Sequence, residues 1–191
     1  MLAVPDPSGG GGGAWEAVDG MLMARSSPAA APLQGRLYVL GGQSPAGACL
    51  ATAERLDPES GHWEPVAPLS AARSGLAASA LGGYLYTLGG LDNEDRCLAT
   101  VERFDPASGC WEAQPPMPTP RCDLAAAALG GCLYALAGLG PGWSALAAAE
   151  RFDPEVGRWE ALAPMPTARG ILAATALGSH LYALGGYNSM Q

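Results

Sequence analysis

Residues 73–120 read RSGLAASALGGYLYTLGGLDNEDRCLATVERFDPASGCWEAQPPMPTP, and this one stretch decides the fold. Its turn signals cut it into four short strands. The first, Ser74 to Leu81, is built of small apolar residues and ends at Gly82-Gly83, a two-residue hairpin signal because glycine accepts positive φ. The second, Tyr84 to Leu88, stops at Gly89-Gly90, and a variable loop from Leu91 to Arg96 leads to the third, Ala99 to Phe104. Asp105-Pro-Ala-Ser-Gly109 closes that strand: Asp and Pro suit the first two positions of a type I turn, and Gly suits the left-handed residue that follows. The fourth strand starts near Trp111 and ends in Pro115-Pro-Met-Pro118, which neither a helix nor a central strand tolerates. We call the four a, b, c and d.

The stretch is one copy of a repeat. Trp15, Trp63, Trp111 and Trp159 recur every 48 residues, and the same interval carries Arg25, Arg73, Arg121 and Arg169, then Tyr38, Tyr86, Tyr134 and Tyr182. The pairs Gly41-Gly42, Gly89-Gly90, Ala137-Gly138 and Gly185-Gly186 stay in register, as do three copies of Glu-Arg-x-Asp-Pro beginning at Glu54, Glu102 and Glu150. Four antiparallel strands with small residues first and a large aromatic last make a wedge, and wedges arranged radially make a propeller.

The doubled glycine after Leu-Tyr-x-Leu, the Glu-Arg-Phe-Asp-Pro segment, the Trp six positions after the Asp and the Pro-Met-Pro-x-x-Arg exit resemble the kelch repeat over essentially the whole chain. The resemblance implies an all-β, kelch-type β-propeller of four-stranded blades. One departure is Ala137, where a methyl fits if only the second position of the pair needs positive φ. The ends divide the chain into 1–24 (strands c and d), full repeats 25–72, 73–120 and 121–168, and 169–191 (strands a and b). Val4-Pro-Asp-Pro-Ser-Gly9 is a degenerate strand c exit, with its turn lengthened by Gly9 to Gly13. Two arrangements follow: four four-stranded blades in a closed ring, with residues 2–24 pairing with 170–186 in a shared blade, or an incomplete part of a six-bladed propeller.

Composition narrows the function. The net charge is −8 and all ten basic residues are Arg, a surface that repels phosphate backbones, so no nucleic-acid partner is expected. The first residues lack the basic and apolar regions of a leader, and no apolar run reaches bilayer length, so a soluble, cytoplasmic protein without a membrane partner is expected. Five cysteines, an odd number without CxxC spacing, indicate neither a disulfide framework nor a zinc site. His62 and His180 stand at non-equivalent repeat positions, a poor basis for copper chemistry, and no nucleophile elbow, phosphate loop or carboxylate pair appears. No metal, cofactor or catalytic residue is therefore expected.

Residues present in every blade at one position are explained by the blade, whereas a site for one ligand is lopsided. The Trp, Tyr and double-glycine sets are accordingly structural. The four Arg either satisfy carbonyls and pair with a strand c glutamate such as Glu102, or form a ring facing ligand. The variable segments are the b-to-c loops. The kelch resemblance implies that these loops and the d-to-a connections form a partner-binding face, here Gln43, Asp92, Asn93, Glu94, Asp95, Arg96, Trp143, Tyr187 and Asn188, with Ser26, Ser74, Cys122 and Asp123. Trp143 either tucks over a blade edge or serves as an exposed anchor. The cluster Asp92-Asn-Glu-Asp95 is either a solvated loop or a reader of basic peptides. The expected function is a non-catalytic protein-interaction module, of the kind that presents substrates to cullin-RING ubiquitin ligases or binds actin. The alternative is a sugar-binding or mutarotase-type kelch enzyme. With 191 residues leaving no room for BTB and BACK domains, cullin-RING components would be reached only through a longer chain.

Overall fold

The computed structural model describes residues 2–3 and 16–188. Three four-stranded antiparallel sheets follow one another, each with its strands in chain order. They comprise β3 (Ala29–Leu33), β4 (Arg36–Leu40), β5 (Ala53–Leu56) and β6 (Trp63–Val66); β7 (Ala77–Leu81), β8 (Tyr84–Leu88), β9 (Val101–Asp105) and β10 (Cys110–Gln114); and β11 (Ala125–Leu129), β12 (Cys132–Leu136), β13 (Ala149–Asp153) and β14 (Arg158–Ala161). Two-stranded sheets flank them, β1 (Leu2–Ala3) with β2 (Glu16–Ala17), and β15 (Gly170–Leu177) with β16 (His180–Tyr187). Among the described residues one 3-10 turn, Pro141–Trp143, is the helical content.

The turn chemistry is as the sequence requires. Gly82 and Gly83 both take positive φ, 60° and 84°, the pattern of a type I′ hairpin. At the c-to-d turns the Asp57, Asp105 and Asp153 carboxylates accept the amides two residues on, and Gly61, Gly109 and Gly157 supply the left-handed residue. Strand b of the second repeat has the expected bounds, Tyr84–Leu88. Strand a is shorter than expected, starting at Ala77 instead of Ser74, because Gly75 turns left-handed at φ 57° and sends the residues before it toward the neighbouring repeat.

The core lies between blades. Tyr38 and Leu40 on one face of the first blade pack with Leu85 and Phe104 of the second, and Tyr86 and Leu88 pack in turn with Leu133, Phe152 and Trp159 of the third. The repeated tryptophans also couple neighbours through hydrogen bonds: the indole N–H of Trp63, Trp111 and Trp159 donates to the carbonyls of Asp19, Ala67 and Pro115 at 3.0, 2.8 and 2.8 Å. Trp15 and the segment from Val4 to Gly13 lie outside the described residues.

The inner strands pack in succession, β3 on β7, β7 on β11 and β11 on β15, but β15 does not pack on β3 in that way. At the two ends β1 pairs with β2 and β15 pairs with β16, and no pairing among the described strands joins the two sheets. Residues 4–15, the greater part of the segment expected to share a blade with 170–186, lie outside the described residues. Ala137 corrects an expectation: it is itself left-handed, φ 57°, as is Gly138, and its methyl is buried between the third and fourth repeats.

Candidate functional site

The repeated arginines build the frame on which the variable loops stand. Arg73 donates to the Gly89 carbonyl at 3.3 Å and to the Thr100 hydroxyl at 2.8 Å, and it forms an ion pair with Glu102. Arg121 reaches the Ala137 and Ala148 carbonyls at 3.1 and 3.2 Å and Glu150 at 2.8 Å; Arg25 makes the same set with Gly41, Thr52 and Glu54. Burial pulls the Arg73 and Arg121 pKa down, and the paired glutamates oppose it. These side chains are sealed from solvent, so the structural reading of the arginines holds for all three complete repeats.

Each d-to-a connection returns beside the b-to-c loop of its own blade. Backbone bridges join Ser26 to Gln43, Ser74 to Leu91 and Cys122 to Leu139, each by two hydrogen bonds of 2.7–3.0 Å. The two sets of expected partner-binding residues therefore share one end of the propeller, opposite the c-to-d turns that carry His62. Their exposure differs. Ser26 is open, whereas Ser74 and Cys122 are buried and hold the loops from below.

The acidic loop is prebuilt. One Asp92 carboxylate oxygen accepts the amides of Glu94 and Arg96 at 3.0 and 2.9 Å, the other takes the Arg96 guanidinium at 2.8 Å, and Arg96 also reaches Glu94 at 2.9 Å. Burial pushes the Asp92 pKa up, but those amides and the guanidinium outweigh it and hold the carboxyl below its ordinary value. Asp95 turns the loop at φ 57°, and the Asn93 side-chain carbonyl accepts the Cys49 amide of the preceding repeat at 2.8 Å. Asn93 is thus a staple between loops, which sequence spacing does not reveal. Trp143 is 50% exposed and left-handed at φ 62°, at the end of the 3-10 turn. Tyr187 is exposed opposite Gly170, with Asn188 beside it.

A collar at the channel mouth escaped the sequence reading apart from Asp123. Ser27, Gly75, Asp123 and Ile171, one per repeat, all have φ between 49° and 57°, and backbone hydrogen bonds pass from each to the next, Gly75 to Ser27, Asp123 to Gly75 and Ile171 to Asp123. A left-handed Ile is a strained residue, and Ile171 is 60% exposed. These four line a mouth of about 200 Å³ with Pro28, Leu76, Leu124 and Leu172. Burial pushes the Asp123 carboxyl pKa up. Deeper, a channel of about 350 Å³ is lined by strand a of every repeat, largely alanines with Ser79 and Thr175. The signal for the collar was the register itself, since its four residue types share no side-chain property.

Among the described residues no helix is long and apolar enough to cross a membrane. No curated protein matches the chain. Among solved structures the structure of YjhT is similar, with a TM-score of 0.76 at 20% identity over 91% of this chain, which spans only 63% of that one. At that identity the likeness speaks for the fold. A family model described as the Kelch motif matches residues 24–70, 72–118 and 120–166, three successive copies in the register of the three complete blades. The chain belongs to the kelch-repeat family.

Proposed function

We propose that the protein is a non-catalytic interaction module that binds a protein partner on the loop face around the channel mouth. The observation that carries this is a contrast within one face: the backbone frame repeats in every blade, but the side chains it presents do not. The collar offers a hydroxyl, a bare backbone, a carboxylate and a branched apolar group, and the loops around it add an acidic turn and one exposed tryptophan. Such a surface reads one asymmetric partner, with the aromatic as an anchor and the charges setting orientation. The channel beneath offers methyl groups and two hydroxyls, which suits packing more than proton transfer. Within this class the reading covers substrate recognition for ubiquitin-ligase adaptors and actin-binding scaffolds alike.

The test is capture of partners by the purified chain, identified by mass spectrometry and repeated with two variants. Trp143→Asn with Glu94→Arg alters the loop face and should abolish capture. Val156→Ser alters the opposite end, where Val156 is exposed, and should leave it intact. Capture that survives the first variant and fails in the second places the partner elsewhere.

A further inference from the structure

At the junction between the second and third complete blades two cysteine sulfurs meet. Cys97 closes the acidic loop, bridged to Leu91 across its base, and Cys122 lies on the d-to-a connection of the next repeat, bridged to Leu139. Their Sγ atoms are 3.6 Å apart, and Cys97 Sγ is also 3.5 Å from the Leu139 carbonyl oxygen. Cys97 is half-buried, whereas Cys122 is 1% exposed. The juxtaposition belongs to the repeat, but the pair of thiols does not. One repeat earlier the same two positions hold Cys49 and Ser74, sulfur and hydroxyl 3.5 Å apart, and one repeat later they hold Ala145 and Gly170. Of these three junctions, the one between Cys97 and Cys122 alone can close covalently. Burial, and after it the neighbouring Cys97 sulfur, pushes the Cys122 thiol pKa up, so Cys97 is the sulfur that meets an oxidant first.

We propose that Cys97 and Cys122 form a reversible disulfide when the protein meets hydrogen peroxide, and that this bond ties the acidic loop to the collar at the channel mouth. The Cys97 sulfur attacks one peroxide oxygen and the O–O bond breaks. The other oxygen leaves as hydroxide and takes the proton that Cys97 gave up, so the products are a sulfenic acid and water. The Cys122 sulfur then attacks the Cys97 sulfur, the S–O bond breaks, and hydroxide leaves as water with the Cys122 proton. Two thiols have given two electrons to one peroxide, yielding one disulfide and two waters. The first step prepares the second, because an uncharged sulfenic acid removes the charge at Cys97 that helps to hold the Cys122 thiol protonated. A bond about 2.0 Å long leaves little distance to close. Arg96, which grips Asp92 and Glu94, precedes Cys97, and Asp123 of the collar follows Cys122, so the bond fixes the acidic loop against the next repeat. The inference concerns the face itself and holds whatever that face binds.

The test treats the full chain, reduced and freed of reductant, with hydrogen peroxide, then alkylates the remaining thiols and maps tryptic peptides by mass spectrometry. One intramolecular bond is expected between the peptide that begins at Cys97 and the one that begins at Cys122, with fragment ions placing it on Cys122 and not on Cys132 of the same peptide, and dithiothreitol should reverse it. Two variants borrow the side chains of the matching junctions: Cys122→Ser, after Ser74, and Cys97→Ala, after Ala145. Cys122→Ser should leave Cys97 as a sulfenic acid that dimedone traps, whereas Cys97→Ala should leave the Cys122 thiol unmodified. In the oxidised chain the amides of Arg96 and Asp123 should exchange with solvent at least about tenfold more slowly than in the reduced chain, a difference missing from both variants. The proposal is overturned if peroxide joins Cys110 or Cys132 instead, if no bond forms, or if it forms as fast in guanidinium, where the fold holds no pair together. Unchanged amide exchange overturns the tie between loop and collar. None of these outcomes bears on whether the loop face binds a protein.

Discussion

The third complete blade and the C-terminal sheet carry nearly the same strands a and b, yet their surroundings differ. Leu136 is 5% exposed and its counterpart Leu184 is 54% exposed; Tyr134 is half-buried and its counterpart Tyr182 is 43% exposed. The hairpins themselves form equally well, with unbroken pairing from Ala125 to Leu129 and from Leu172 to Leu177. The alternation of apolar residues and the glycine turn therefore suffice for the hairpin, while burial comes from strand c and from the next blade. In this fold a residue's repeat position sets its conformation, and its neighbours set its energy.

The largest expected effect tests that separation directly. Phe152→Ala, in the closed core, should cost about 3–5 kcal/mol of unfolding free energy, whereas Tyr182→Ala on the open sheet should stay within about 0.5 kcal/mol. Denaturant melts of the two variants decide it, and equal losses would mean that the C-terminal sheet is covered in solution. Next come the repeated arginines. Arg121→Ala leaves Glu150 buried without its partner and should cost about 3 kcal/mol, against less than about 1 kcal/mol for Arg169→Ala, since Arg169 meets no carboxylate among the described residues.

Much of this contrast was legible in the sequence. The 48-residue register, the Asp-Pro turns and the strand c glutamates were read from residue types that only certain backbone shapes or charge partners accept. The collar was hidden because Ser27, Gly75, Asp123 and Ile171 share a conformation and not a chemistry. Asn93 was assigned to a partner because its bond to Cys49 spans 44 residues, beyond any local pattern.

A smaller effect sharpens the same comparison at the blade junctions. A Cβ at Gly89 would lie 2.4 Å from the Arg121 carbonyl oxygen, so Gly89→Ala should destabilise by more than about 1 kcal/mol. Ala137→Gly, at the equivalent junction before the open sheet, should stabilise by roughly 1 kcal/mol in thermal melts, because it relieves a left-handed alanine. Loss of stability there would mean that the methyl packing outweighs the backbone strain.

The smallest effects are in pH dependence and have opposite signs. The Asp92 pKa is lowered in the fold, so its contribution is present above the unfolded value of about 3.9 and is lost as pH falls through the folded one; amide shifts of Glu94 and Arg96 should report that loss. The Asp123 pKa is raised by burial, so its penalty is absent at low pH and grows as pH rises through the folded value. Asp123→Asn, which tolerates the left-handed backbone, should therefore raise the melting temperature slightly at pH 7 and not at pH 3. A gain of the same size at both pH values would assign the effect to the backbone.

The tryptophan indoles have a consequence for how the molecule assembles. Each donates to a carbonyl 44 residues back, so every bond closes a loop of the same length and ties a blade only to the one before it. The entropic cost of adding a blade is then nearly constant along the chain, because loop closure depends on loop length and not on how much structure already exists. Assembly proceeds as a zipper with equal teeth, able to follow synthesis blade by blade from the ribosome. Unzipping begins at the β15–β16 hairpin, which carries no such indole and is exposed along much of both strands, and its amides should exchange with solvent before those of any complete blade.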